Sequence, residues 1–247
     1  MEIRRGQVII HPPGHPFMLI TYTIVGIVVA FLASSAIASA TASLGLAGLA
    51  AGYIISLLIM MSPPLSFVNI VLGFIGTGYY EQVLEVEYVS FAGIPIPVPR
   101  ISLVEKKTVL AINLGGGVIP ITVSLLIIIL LAGEGRVEAL WALLASVVVT
   151  SLVTYAFSRT IPGVGIAVPA LIPPLASAIT VAAIAGGGPV AALAAYAGGT
   201  LGALIGADVL RLLHDMDKLS SPMVSIGGAG VFDGVFLAGV IALLLTY

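Results

Sequence analysis

Cysteine is absent from the 247 residues. That removes disulfides and cysteine-based metal centres from consideration and leaves the redox compartment open. Charge is scarce. Asp, Glu, Lys and Arg make up 8% of the chain, against about 25% in an average soluble domain. So thin a charge cover, with no basic tract and a net charge of −2, excludes a phosphate-tracking nucleic-acid surface. Also missing are a Walker loop, a dinucleotide fingerprint, an HExxH zinc motif and a nucleophile elbow, and no cofactor is expected. No metal site is expected either. His214, Asp215 and Asp217 in "LLHDMDK" read as a hydrated connector, and His11 and His15 in "HPPGHP" as juxtamembrane surface residues. No soluble domain fits between the apolar runs. The start, "MEIRRGQVIIHPPGHPF", lacks the short apolar core and small-residue cleavage site of a signal peptide, so the first apolar run reads as a retained span.

What is abundant is hydrocarbon. Sixty per cent of residues are hydrophobic and the mean hydropathy is +1.22. The expected fold class is an all-α membrane protein of about seven transmembrane helices with a small extramembrane β-hairpin-like insert. The spans fall near 17–40, 44–61, 118–131, 137–157, 166–185, 189–213 and 223–246, in a single polytopic domain. The third is short unless Gly115 to Gly117 belong to it. The fifth carries Pro169, Pro173 and Pro174. "SPPLSFVNIVLGFIGTG" (62–78) is apolar but broken by proline and glycine, and reads as a re-entrant or interfacial segment, or as an extension of span two after a kink. The insert spans 80–110. There Leu84, Val86 and Tyr88 alternate with Glu85 and Glu87 at the period of a strand, and Glu81 falls mostly with the acids. Pro95, Pro97 and Pro99 bar a central strand position, so the expectation is a surface hairpin or a poorly bonded strand pair.

Lys and Arg distribute unevenly over seven spans. Arg4, Arg5, Arg100, Lys106, Lys107, Arg159, Arg211 and Lys218 fall on one side, eight against Arg136 alone on the other. Positive residues collect in the cytoplasm. The expected topology in the cell membrane therefore has a cytoplasmic N-terminus and insert and an extracytoplasmic C-terminus. Trp141 and the tyrosines near span ends suit interface anchors.

Two acids then stand out. Asp208 in "LGALIGADVLRLL" and Asp233 in "GGAGVFDGVFLAGVIALLL" fall within apolar spans joined by a short cytoplasmic connector. At 1.5 Å per residue they sit roughly 5–10 Å and 10–15 Å inside that end. An ionisable residue in a span is expensive and marks function by default. Two nearby carboxylates share a proton, which makes one an acid and the other a base. Gly227, Gly228, Gly230 and Gly234 would let an extended backbone approach Asp233.

"GVFDGVFLAGVIALLL" resembles the second aspartate motif of the Gly-x-Gly-Asp intramembrane proteases, the presenilin and signal peptide peptidase class. "VPALIPP" is similar to that class's Pro-Ala-Leu motif. The resemblance implies Asp208 and Asp233 as the catalytic pair. It gives Pro169, Ala170 and Leu171 a site-shaping role, and makes a transmembrane helix of another protein the partner. Phe232 stands where the second motif glycine would be, Ala207 precedes Asp208, and Pro-Ala-Leu comes before the aspartates. More broadly, "PGVGIAVPALIPP", "GADVL" and "SIGGAGVFDGVFLAG" resemble a multi-pass membrane family of archaeal and bacterial type catalogued as a domain of unknown function. A diaspartyl protease is the leading expectation. An ion- or proton-coupled transporter or channel using the same acids is the alternative, with Asn113, Thr200 and Ser225 as polar lining. A structural or binding role for the acids is the third. Lipid bilayer is the expected surrounding in each case. Arg211 reads as a cytoplasmic anchor able to pair with an acid.

Overall fold

The computed structural model describes residues 3–12, 15–91, 94–161, 165–216, 219, 221–228 and 234–247. Helices dominate. Helix α1 (Pro16–Ala42) starts on His15, whose Nδ1 accepts from the Phe17 N–H at 3.2 Å. It turns through Ser43 and Leu44 into α2 (Gly45–Leu65). Thr41 packs against Gly48 and Gly52, and Ser34 and Ser56 exchange hydroxyl-to-carbonyl bonds at 3.2 Å. Small residues and hydroxyls hold helices together where lipid removes the hydrophobic drive.

The chain then leaves the helices. Strand β2 (Val68–Phe91) pairs antiparallel with β3 (Ile94–Asn113) in a long hairpin. β1 (Val8–Ile10) adds to the base of β2, and β6 (Met223–Ile226) runs parallel to the end of β3, giving the order β1-β2-β3-β6. Within 62–78, Ser62–Leu65 is the last turn of α2, an extension of the second helical run, and from Val68 the chain is strand, burying Val71 and Ile75 on the sheet's inner face. β-branched residues two and four apart favour that pleated surface over a third helix.

Beyond the sheet the hairpin continues as a two-stranded arm. Its register is unbroken from Tyr80 to Phe91. Leu84, Val86 and Tyr88 stand opposite Ile101, Pro99 and Pro97 on one face. Glu85 and Glu87 share the other with Arg100, which bonds Glu87 at 2.9 Å. The ladder is better than its prolines suggest. Pro95, Pro97 and Pro99 are two residues apart, so all three missing N–H groups fall on the free outer edge of β3.

Asn113 leads into a π-helical turn, Leu114–Val118, and then α3 (Ile119–Gly133), so the three glycines do belong to this helix. Helix α4 (Val137–Phe157) returns to the sheet end. A small hairpin, β4 (Arg159–Ile161) with β5 (Gly165–Ala167), precedes α5 (Ile172–Ala185). Helix α6 (Pro189–Ala203) widens into a π-helical stretch, Leu204–Arg211, and closes with the single turn α7 (Leu212–His214). Helix α8 (Gly234–Thr246) follows β6.

Among the described residues, five helical segments are long and apolar enough to cross a membrane: 16–42, 45–65, 114–133, 137–157 and 189–214. The chain is a membrane protein. Two expected spans hold shorter helices among the described residues, α5 of 14 and α8 of 13 residues, about 20 Å each against a hydrocarbon core of about 30 Å.

Helix α6 is the axis of the bundle, buried without interruption from Ala191 to Thr200. Its row of Gly198, Gly202 and Gly206 lies against Ser146, Thr150 and Thr154 of α4, and a Cβ at Gly202 would come within 2.5 Å of the Thr150 Cβ. The outward faces of α1, α2 and α4 expose Ile20, Phe31, Leu57, Trp141 and Leu152, as lipid-facing helices do.

Candidate functional site

The starts of α5 and α8 meet the π-helical end of α6. A cavity of about 60 Å³ lies between them, lined by Thr154 of α4, Pro169, Ala170 and Pro173 around the start of α5, Ala207 and Asp208 of the π stretch, and Gly234 and Val235 of α8. Pro169 and Ala170 are exposed and form its outer lip, Asp208 is half-buried, and Thr154 is fully buried.

Asp208 is held from the side of the sheet. The Gly227 N–H donates to its Oδ2 at 2.6 Å. Gly227 has φ +78°, and a Cβ there would run into the backbone of Gly116 and Gly117 in the other π-helical turn. Only glycine combines that left-handed backbone with so close an approach. The turn it touches is itself tied down. Asn113 Oδ1 accepts from the Gly116 N–H at 2.7 Å, and Asn113 Nδ2 donates to Asn69 Oδ1 at 3.0 Å and to the Ser66 carbonyl at 2.5 Å. The Ser225 hydroxyl donates to the same Asn69 oxygen at 2.8 Å. This buried amide cluster fixes the end of β6, and with it the donor that reaches Asp208. π-helical turns widen a helix by one residue and recur at functional sites. Here the wide stretch carries the one acid of α6.

The predicted site residues divide as follows. Pro169, Ala170, Asp208 and Gly234 line one cavity, and Gly227 contributes its N–H. Gly228 turns back on the Ser225 carbonyl at 3.1 Å. Leu171 caps α5 and is exposed. Gly230 and Asp233 lie outside the described residues. Asn113 and Ser225 belong to the amide cluster, and Thr200 lies between α6 and Gly239 of α8.

A family profile matches residues 64–245, which include β2, β3 and every element that lines the cavity. The chain belongs to the DUF1614 family, described as proteins of unknown function. No curated protein and no solved structure matches it. The match includes the cavity and the amide cluster and leaves out α1 and most of α2.

Sequence reading missed three features of this DUF1614 chain. Thr154 belongs to no motif. Its signal was the four-residue spacing of Ser146, Thr150, Thr154 and Ser158, matched by the same spacing of Gly198, Gly202 and Gly206. The glycine contact between Gly116 and Gly227 joins residues over a hundred positions apart. Third, Asp215 is not a solvated connector residue. It is buried, accepts from the Thr160 hydroxyl at 2.7 Å and lies 3.6 Å from Arg211. Arg211 also donates to the Ser158 carbonyl and hydroxyl and lies 5.2 Å over the Tyr155 ring, so it pins the end of α6 to α4. His214 meets the edge of Tyr155, and Asp217 lies outside the described residues.

Proposed function

We propose that this protein is a diaspartyl intramembrane protease in which Asp208 and Asp233 form a shared-proton acid–base pair. One observation carries the reading. Asp208, the Pro169-Ala170 lip and Gly234, which follows Asp233 in the chain, line a single cavity at the end of two short helices. In the proposed reaction the ionised carboxylate takes a proton from water, whose oxygen bonds to the scissile carbonyl carbon. The protonated partner gives its proton to the carbonyl oxygen. The tetrahedral intermediate collapses as the C–N bond breaks, and the leaving nitrogen takes up a proton from the pair. Pro169, Ala170 and Leu171 would shape the entrance. Gly228, Gly230 and Gly234 would admit an extended substrate backbone, while Gly227, packed against Gly116 and Gly117, holds Asp208.

The proposed topology puts the N-terminus and the sheet in the cytoplasm and the C-terminus outside. It is supported by the 8-to-1 split of Lys and Arg between the segments at the sheet end and those at the opposite end. The surroundings are the lipid bilayer, and the substrate is a transmembrane helix of another protein. A second reading is favoured by the broken spans. Short helices whose starts converge on an acid also build ion and solute sites in transporters. Purified full-length chain in proteoliposomes with a reporter span separates the two. The protease reading expects cleavage that falls by about 100-fold or more in both Asp208→Asn and Asp233→Asn. Cleavage at the wild-type rate by either variant overturns it. Proton- or cation-dependent flux lost in the same variants, without cleavage, establishes the transporter instead.

A further inference from the structure

Helical hydroxyls in this protein have a habit. Thr21, Thr23, Thr41, Thr122, Thr180 and Thr246 each donate to the carbonyl four residues earlier, at 2.7–2.9 Å. That bond satisfies a hydroxyl when no better partner exists in hydrocarbon. Thr154 breaks the habit. Its side chain is fully buried, its own carbonyl accepts the Ser158 N–H at 2.8 Å, and its hydroxyl has no hydrogen-bond partner among the described residues. Thr150 is also buried with no hydroxyl partner among the described residues, but it lies against Gly202. Thr154, not Thr150, lines the Asp208 cavity.

A buried hydroxyl left unpaired is costly, about as costly as a lost hydrogen bond. The cavity, at about 60 Å³, exceeds the roughly 10–15 Å³ that one water needs. Water also needs two or more polar partners. A carboxylate that only accepts and a hydroxyl that both donates and accepts are a complementary pair for it.

We propose that Thr154 and Asp208 together bind a water molecule in this cavity, with Thr154 the positioning residue that fixes the water's second direction. Gly206 makes this possible. A Cβ there would come 2.8 Å from the Thr154 Cβ, so glycine lets α4 bring the hydroxyl to the level of Asp208. Identifying that water as the nucleophile rests on the protease reading. Its binding does not. Because Thr154 reaches the site from α4, it orients the water independently of the segment that carries Asp233. One hydroxyl bond to a reacting water corresponds to about a tenfold effect on rate.

The test uses Thr154→Val, which keeps the shape and removes the hydroxyl, and Thr154→Ser, which keeps the hydroxyl. High-resolution structures of the full chain are determined for the wild type and both variants, and cleavage of the reporter span is followed in parallel. The expected result is a water within hydrogen-bond distance of Asp208 and residue 154 in wild type and Thr154→Ser, absent in Thr154→Val. With it goes a kcat about tenfold lower in Thr154→Val, an unchanged KM and recovery in Thr154→Ser. Should Thr154→Val fail to fold, the wild-type and Thr154→Ser structures still decide the matter. A Thr154 hydroxyl bonded only to protein, or a water that persists unmoved in Thr154→Val, overturns the proposal. A wild type that binds the water without cleaving any span sinks the protease reading and leaves this inference standing.

Discussion

Gly227 concentrates three demands on one residue: a φ of +78°, van der Waals contact with two glycines of a separate helix, and an N–H aimed at Asp208. Gly227→Ala strains the backbone by about 1–2 kcal/mol before any clash is counted. The contact with Gly116 and Gly117 is backbone against backbone, so the added methyl also displaces the donor. The expected outcome is a lower thermal midpoint in detergent together with reduced turnover, read on the same sample. Arg211 offers a second residue-scale test. It and Asp215 are both mostly buried, so Arg211→Met removes a positive charge 3.6 Å from a buried acid and should cost up to about 3–5 kcal/mol. Arg211→Met combined with Asp215→Asn should recover part of that loss in chemical unfolding. A double variant no more stable than the single one would show that the pair is not what holds α6 to α4. Little of this was legible in "LLHDMDK", because Thr160, which bonds Asp215, and Ser158, which accepts from Arg211, lie on other elements.

At the scale of elements, the hairpin arm and the seam between α4 and α6 make opposite predictions. The arm residues Gln82 to Phe91 pair only with Ile94 to Leu103, and Leu84, Val86, Tyr88, Ile101 and Leu103 are exposed. Replacing residues 82–103 by a two-residue Asn-Gly turn should therefore leave the thermal midpoint of the bundle unchanged within a few degrees. Gly202→Val should do the reverse. It drives a branched side chain into Thr150, which a Cβ alone would already meet at 2.5 Å, and overpacking of this kind costs about 1–3 kcal/mol or more. Detergent-phase thermal unfolding checks both. The arm was legible because its polar and apolar residues alternate in the string. The base of β2 was not, since Val68 to Ile75 carries apolar residues on both faces and a short apolar run reads equally as helix or buried strand. The same ambiguity hid β5 and β6 inside two expected spans. Composition gives hydrophobicity, and the prolines and glycines that end a helix early do not say which side of the break is extended.

At the scale of the whole molecule, helix direction and charge agree. The connectors 43–44, 134–136 and 186–188 lie at the end away from the sheet, where the Gly188 N–H also meets the Thr246 carbonyl at 2.9 Å. Because the chain has no cysteine, single probes can be introduced without background. A membrane-impermeant maleimide on intact cells should label Glu134→Cys and spare Gln82→Cys until the membrane is opened. The reverse pattern inverts the proposed topology. The proposed side of each connector can be written from the string alone, because it needs only the order of the apolar runs and the placement of Lys and Arg. What the string could not convey is the convergence: α4, α5, the π stretch of α6 and α8 meet at one cavity through bends no local pattern encodes. The proposed proton sharing depends on the distance between the carboxylates of Asp208 and Asp233. An experimental structure of the protein in a lipid nanodisc measures it directly. A diaspartyl protease has the two within about one bridging water of each other, both facing the cavity that Thr154 and Pro169 line. An Asp233 turned to lipid, or separated from Asp208 by packed side chains, rules the pair out.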